Sequence, residues 1–237
     1  MNILTFIKNN IPNAITCSNL LSGALACIAA FHCFDQWWWG LQGYEVAFVL
    51  IALAAVFDFF DGFVARLLHA TSPLGKELDS LSDSVSFGLA PALVLYNMLL
   101  VAYPGTAWLP YVALLIPVFG VLRLARFNVD TNQATTFTGL PIPANAIFWI
   151  GFMRFFATHH SDVNQWIVLI AIVVFSLLMV CNLRMFSLKL HSLSLKENYR
   201  QVLLVIAFVT LVAMLGLAGL APAIAFYVIL SACTKHD

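Results

Sequence analysis

Long apolar runs separated by short polar clusters dominate the 237-residue chain. A helix that crosses hydrocarbon needs about 20 apolar residues. Eight runs approach that length, at about 14–34, 44–66, 83–103, 107–126, 143–159, 165–184, 201–218 and 221–233. The last two come from one apolar tract broken at GLAGLAP (216–222). The pattern predicts an all-α, polytopic membrane helix bundle of about eight transmembrane helices. A six-helix core over 13–200 and two C-terminal helices over 201–233 make up a single domain, 1–237. Ahead of the first run, NILTFIKNN (2–10) predicts an interfacial segment over 1–12, with Ile3, Leu4, Phe6 and Ile7 toward lipid. The polar stretches 67–82, 127–142 and 185–200 read as loops on one side of the membrane.

Composition agrees with that solvent. Hydrophobic residues make up 62% and charged residues 9%, and the mean hydropathy is +0.94; a soluble domain is about half apolar and a quarter charged. The chain has room for one bundle and no separate soluble domain. A net charge of zero points to no nucleic-acid partner. The cysteines, Cys17, Cys27, Cys33, Cys181 and Cys233, show no metal-binding spacing, and most sit in apolar runs as small hydrophobes. No cleavable signal peptide is expected, because the first apolar run flows into the bundle without a small-residue cleavage site.

Basic residues orient the bundle. With both termini in the cytoplasm, Lys8, Arg66, Lys76, Arg123, Arg126, Arg184, Lys189, Lys196, Arg200 and Lys235 fall inside. Of the 11 basic residues only Arg154 falls outside, as the positive-inside rule requires. Trp37, Trp38 and Trp39 then read as an outer aromatic belt. The histidines, among them His69, His159 and His160, lack ligand spacing.

Against this background one stretch is out of place. FDFFDGFVARLLHATSPLGKELDSLSD (57–83) holds Asp58, Asp61, Glu77, Asp79 and Asp83, close to half of the 11 acidic residues. Asp58 and Asp61 are three apart, Asp79 and Asp83 four apart, so each pair shares a helix face. An antiparallel helix pair closing at the SPLG turn (72–75) would bring the faces together. Four carboxylates gathered there need a counter-charge, and one or two divalent cations bound by oxygen ligands supply it most simply. Gly62 and Ala65 leave space on the aspartate face, and Arg66 offers a fork for a phosphate oxygen. Intramembrane acids point first to function. A divalent-cation transporter would also want such acids, but along a path across the bilayer; here they crowd at the cytoplasmic end.

Written out, Asp58-x2-Asp61-Gly62-x2-Ala65-Arg66-x8-Gly75-x3-Asp79-x3-Asp83 resembles the full signature of the CDP-alcohol phosphotransferase family. That resemblance implies a membrane enzyme that cleaves a CDP-linked alcohol, releases CMP and passes the phosphoryl-alcohol to a second hydroxyl. It implies Asp58, Asp61, Asp79 and Asp83 as ligands of Mg²⁺ or Mn²⁺, two ions in all, with Asp83 also the general base. Gly62, Ala65, Arg66 and Gly75 would line the CDP site. Asn13, Thr16 and Asn19, spaced by three on the first span, would add nucleotide contacts.

Five further segments resemble the phosphatidylserine synthase branch: IPNAIT with SNLLSG (11–23), LDSLSDSVSFGLAPA (78–92), RLARFN (123–128), FTGLPIPA (137–144) and LMVCNLRMFSLK (178–189). The last departs from the family's frequent Tyr-Pro pair, with Met185 and Phe186 in its place. The branch implies CDP-diacylglycerol and L-serine as substrates, phosphatidylserine and CMP as products, and a homodimer in a prokaryotic cytoplasmic membrane with its active site facing the cytoplasm. Another member of the family, making phosphatidylglycerol phosphate or an inositol lipid, would call for a denser basic pocket than Arg123 and Arg126. Those two arginines read either as contacts to the serine carboxylate or a phosphate, or as ordinary cytoplasmic anchors. Ser82, Ser84 and Ser86 read either as substrate-orienting groups or as small packing residues.

Overall fold

The computed structural model describes residues 3–129, 137–159, 162–186 and 198–233, with the side chains of 3–7, 9 and 137 excepted. The expected lipid-facing Ile3, Leu4, Phe6 and Ile7 side chains, and His160, Lys189, Lys196 and Lys235, lie outside the described residues. The chain divides into two compact units, Met1–Leu124 and Ala125–Asp237.

The first unit is helical throughout. Helix α1 (Ile3–Phe31) runs unbroken through Pro12, and its apolar stretch long enough to cross a membrane begins at Asn10. A loop carrying the exposed Trp39 leads into α2 (Gly43–Leu67). Helices α1 and α2 pack along each other. Ala26, Ala29 and Ala30 face inward on one and Ala47 and Ala54 on the other, small residues that let membrane helices approach closely. Ser22 Oγ donates across this seam to the Leu50 carbonyl (2.9 Å).

The expected loop 67–82 is mostly helix. The α2 C-terminus closes with His69 at positive φ and Ala70 N–H donating back to the Ala65 carbonyl (2.9 Å), the wrap that ends many helices. Three residues later Ser72 caps a new helix by accepting from Gly75 N–H (3.0 Å), and Pro73 fills its first turn, where a missing N–H costs nothing. Helix α3 (Pro73–Asp83) continues through a π turn (Ser84–Leu89) into α4 (Ala90–Ala102). A short helix, α5 (Leu109–Val112), precedes α6 (Leu115–Val129), within which the unit boundary falls.

In the second unit a two-residue strand β1 (Phe137–Thr138) pairs antiparallel with β2 (Arg184–Met185), Phe137 opposite Met185 and Thr138 opposite Arg184. These are the two resembling segments FTGLPIPA and LMVCNLRMFSLK, joined by a ladder too short to leave a pattern. Gly139, at φ 76°, permits the junction: any side chain there would strike the Met179 carbonyl. Helix α7 (Ile142–His159) and α8 (Gln165–Val180) follow, with Phe148 stacked on Phe175 between them. Helix α9 (Tyr199–Leu215) breaks at the expected glycines, Gly216–Gly219, before α10 (Leu220–Cys233).

Among the described residues, five helical stretches are long and apolar enough to cross a membrane: Asn10–Phe31, Gly43–Leu67, Pro73–Ala102, Leu109–Val129 and Tyr199–Cys233. Gln165–Val180 is a shorter apolar helix. The chain is an all-α, polytopic membrane helix bundle. Helix α7 covers the expected 143–159 but is not among the five, with Asn145 and Arg154 interrupting its apolar face.

Candidate metal centre and cavity

Asp58 and Asp61 leave the C-terminal end of α2 one turn apart, and the tight turn 68–72 folds α3 back so that Asp79 meets them. One carboxylate oxygen from each of Asp58, Asp61 and Asp79 lies within 4.8 Å of the other two. Asp61 is buried, and Asp61 Oδ2 and Asp79 Oδ1 are shielded from solvent without a hydrogen-bond partner among the described residues. Oxygen-only donors, convergent and short of partners, are the donor set that a hard divalent cation takes; an acidic triplet that binds such a cation is what the geometry supports.

Asp83 stands outside that triplet, within reach of Asp58. Its Oδ1 accepts a hydrogen bond from Asn19 Nδ2 (3.2 Å), and Asn19 is fully buried. Two serine bonds flank this contact: Ser82 Oγ donates to the Thr16 carbonyl (3.3 Å) and Ser86 Oγ to the Asn19 carbonyl (3.1 Å). Helix α1 therefore holds the Asp83 segment through Thr16 and Asn19, and Gly23 allows the close approach, since a side chain there would collide with Ser86.

Beside the carboxylates opens a cavity of about 320 Å³. Asp61 and Asp79 form its acidic side; Gly62, Ala65, Arg66, Gly75 and Lys76 line it from α2 and α3, and Pro12, Asn13 and Thr16 from α1. The Arg66 guanidinium lies over Gly62, with Nη1 3.7 Å from where a Cβ would sit. Bare Gly75 likewise leaves the Asn13 amide oxygen room, since a Cβ would stand 3.2 Å from it.

The sequence-derived candidates thus divide. Asp61, Asp79, Gly62, Ala65, Arg66, Gly75, Asn13 and Thr16 share the cavity, with Asp58 beside it. Asn19 is not among the lining residues; it is spent on Asp83. Ser84 donates to its own helix at the Leu81 carbonyl (2.7 Å), Ser86 is an interhelical fastener, and Ser82 shares its hydroxyl between its own Leu78 carbonyl (2.8 Å) and the Thr16 carbonyl of α1 (3.3 Å). Arg123, half-buried on α6, does not line the cavity. Arg126 belongs to the second unit, where Nη1 donates to the Val180 carbonyl (2.7 Å). Lys76 and Thr71, unforeseen as lining residues, add a cation and a hydroxyl; their place between Arg66 and Asp79 was the available signal.

Residues 9–178 match the CDP-alcohol phosphatidyltransferase family. The chain is 35% identical over 235 residues to a CDP-diacylglycerol–serine O-phosphatidyltransferase of Mycobacterium bovis, covering 95% of this chain and 76% of that protein. It is 32% identical over 222 residues to the protein of that name from Helicobacter pylori, covering 92% and 87%. Another so named, from the archaeon Methanocaldococcus jannaschii, is 38% identical over 144 residues, covering 61% and 60%.

Proposed function

Because the chain belongs to the CDP-alcohol phosphatidyltransferase family, we propose that it transfers the phosphatidyl group of CDP-diacylglycerol to the hydroxyl of L-serine, giving phosphatidylserine and CMP. The observation that carries this reading is the convergence of Asp58, Asp61 and Asp79 beside a cavity lined by Arg66 and the bare Gly62 and Gly75. The shared name of relatives from mycobacteria, Helicobacter and an archaeon supports serine as the acceptor.

Asp58, Asp61 and Asp79 would hold Mg²⁺ or Mn²⁺, with Asp83 the residue that would serve a second ion. Such an ion, when bound, would supply charge neutralisation for the phosphoryl group and a lowered pKa for the attacking hydroxyl. Arg66 grips a phosphate oxygen through its fork, while Gly62, Ala65 and Gly75 leave the nucleotide room and Thr16 and Asn13 close the α1 side. Asp83 is the general base. With Oδ1 tied to Asn19, its Oδ2 takes the proton of the serine hydroxyl as that oxygen bonds to the lipid-bearing phosphorus and the pyrophosphate link to CMP breaks. Arg123 shares a unit with the carboxylates but not the cavity, and a contact from it to the serine carboxylate or a substrate phosphate is carried by the sequence alone. The basic residues put this site at the cytoplasmic face of eight spans with both termini inside, and the family resemblance implies a homodimer.

The test is CMP release by the purified protein in detergent with CDP-diacylglycerol and Mn²⁺ or Mg²⁺, offering L-serine, glycerol 3-phosphate, inositol phosphate or no acceptor. Release that depends on L-serine is expected. Release with a phosphorylated acceptor instead would overturn the serine assignment, and silence with all of them would point back to cation transport.

A further inference from the structure

The π turn that follows Asp83 has its cause in the sequence. In a regular helix the N–H of residue 91 would bond to the Phe87 carbonyl, but residue 91 is proline, which has no N–H and whose ring presses on that carbonyl. The chain widens by one residue ahead of it, so that Ala90 N–H reaches back five residues to the Val85 carbonyl. Wide turns of this kind collect at functional sites.

The consequence is angular. An α-helix advances roughly 100° per residue. Counted from Asp83 at that rate, the buried downstream residues Ala90, Pro91, Ala92, Val94, Leu95, Met98 and Leu99 would centre roughly 90° away from the direction of Asp83. The extra residue in the wide turn absorbs roughly that advance. One continuous stretch, Pro73–Ala102, can then bury its apolar half and still present Ser82, Asp83 and Ser86 to Thr16, Asn19 and Gly23 of α1. Without the wide turn, packing of α4 would rotate Asp83 off Asn19.

We infer that Pro91, through the π turn it enforces, is a positioning residue that aims Asp83 at the reacting hydroxyl. The inference rests on the proposed role of Asp83 as base. Pro91 touches no substrate; it sets the phase between the packed half of the helix and its chemical half.

The test compares Pro91→Ala with the same variant lacking Leu89. Pro91→Ala restores the N–H and lets 84–89 tighten to an α-helix. The expected result is a fall in kcat of at least about tenfold, with KM for CDP-diacylglycerol and Mn²⁺ affinity within about twofold. Deleting Leu89 from that background removes the surplus residue, so the two halves regain their phase and most of kcat returns. If Pro91→Ala does not fold, the double variant still decides: recovered turnover supports the inference, and turnover no better than the single variant overturns it. A structure of Pro91→Ala reads the same point whichever acceptor the enzyme uses. Residues 84–89 in α-register with Asp83 turned from Asn19 support it; an unchanged wide turn, or an unchanged kcat, overturns it. A parent protein inactive toward L-serine would overturn the serine reading alone, because the structural result stands apart from it.

Discussion

The two units solve the problem of holding helices together in different ways. Within Met1–Leu124, polar side chains buried between helices bond across them: Ser22 to Leu50, Ser82 to Thr16, Ser86 to Asn19 and Asn19 to Asp83. It has ring contacts too, in the Trp37–Trp38–Trp39 loop, along α2 at Tyr44 with Phe48 and Phe59 with Phe63, and at Tyr96 with Tyr111, but none of these joins the helices that carry the carboxylates to α1. Within Ala125–Asp237, α7 and α8 meet through Phe148, Trp149 and Phe175. The fully buried side chains of Asn145 and Ser176 of that unit find no hydrogen-bond partner among the described residues. Rings fill space and tolerate sliding; hydrogen bonds fix a distance and a direction. The second unit has directional bonds as well, from Arg126 to the Val180 carbonyl and from Tyr227 to the Phe186 carbonyl, but those of the first unit gather around the four carboxylates, whose mutual geometry they fix.

The contrast can be broken most severely at Asp83. Asp83→Asn removes the proton acceptor and keeps the shape, so turnover should fall on the order of a thousandfold, while CDP-diacylglycerol binding, measured by equilibrium dialysis with labelled lipid, stays close to the parent value. Retained turnover would remove Asp83 from the base role. A smaller loss is expected from Asn19→Leu, which keeps the volume and deletes the bond to Asp83. Supporting partners of this kind are worth about ten- to a hundredfold in activity, and the loss should appear in kcat with Mn²⁺ affinity unchanged. An effect on nucleotide affinity instead would restore Asn19 to the nucleotide site. The mildest change belongs to the ring-packed unit: Phe175→Leu should cost about 1 kcal/mol of stability, seen as a lowered melting temperature in detergent with kcat unaltered. A large loss of kcat there would show that ring packing also serves the chemistry.

How much of this was legible beforehand follows the same division. The aspartates stood out because a charge in an apolar chain is conspicuous and the i, i+3 and i, i+4 spacings translate directly into a shared face. The turn that joins them was readable from Ser72 and Pro73, although helix begins there rather than near residue 83. The spacing of Asn13, Thr16 and Asn19 marked one face of α1, but spacing cannot say what a face meets: Asn13 and Thr16 line the cavity, whereas Asn19 meets a carboxylate. The π turn left no mark on hydrophobic periodicity, because the residues around Pro91 are apolar or small on every side. The strands β1 and β2 are two residues long, below the length at which alternation can be seen.

The central claim is that Asp58, Asp61 and Asp79 form one seat for a divalent cation, and titration of Mn²⁺ followed by its electron paramagnetic resonance signal tests it most directly. The parent protein should bind Mn²⁺, and Asp61→Asn, which neutralises the buried member of the triplet while keeping its shape, should lose that binding at the same protein concentration. Undiminished Mn²⁺ binding by Asp61→Asn would contradict the claim.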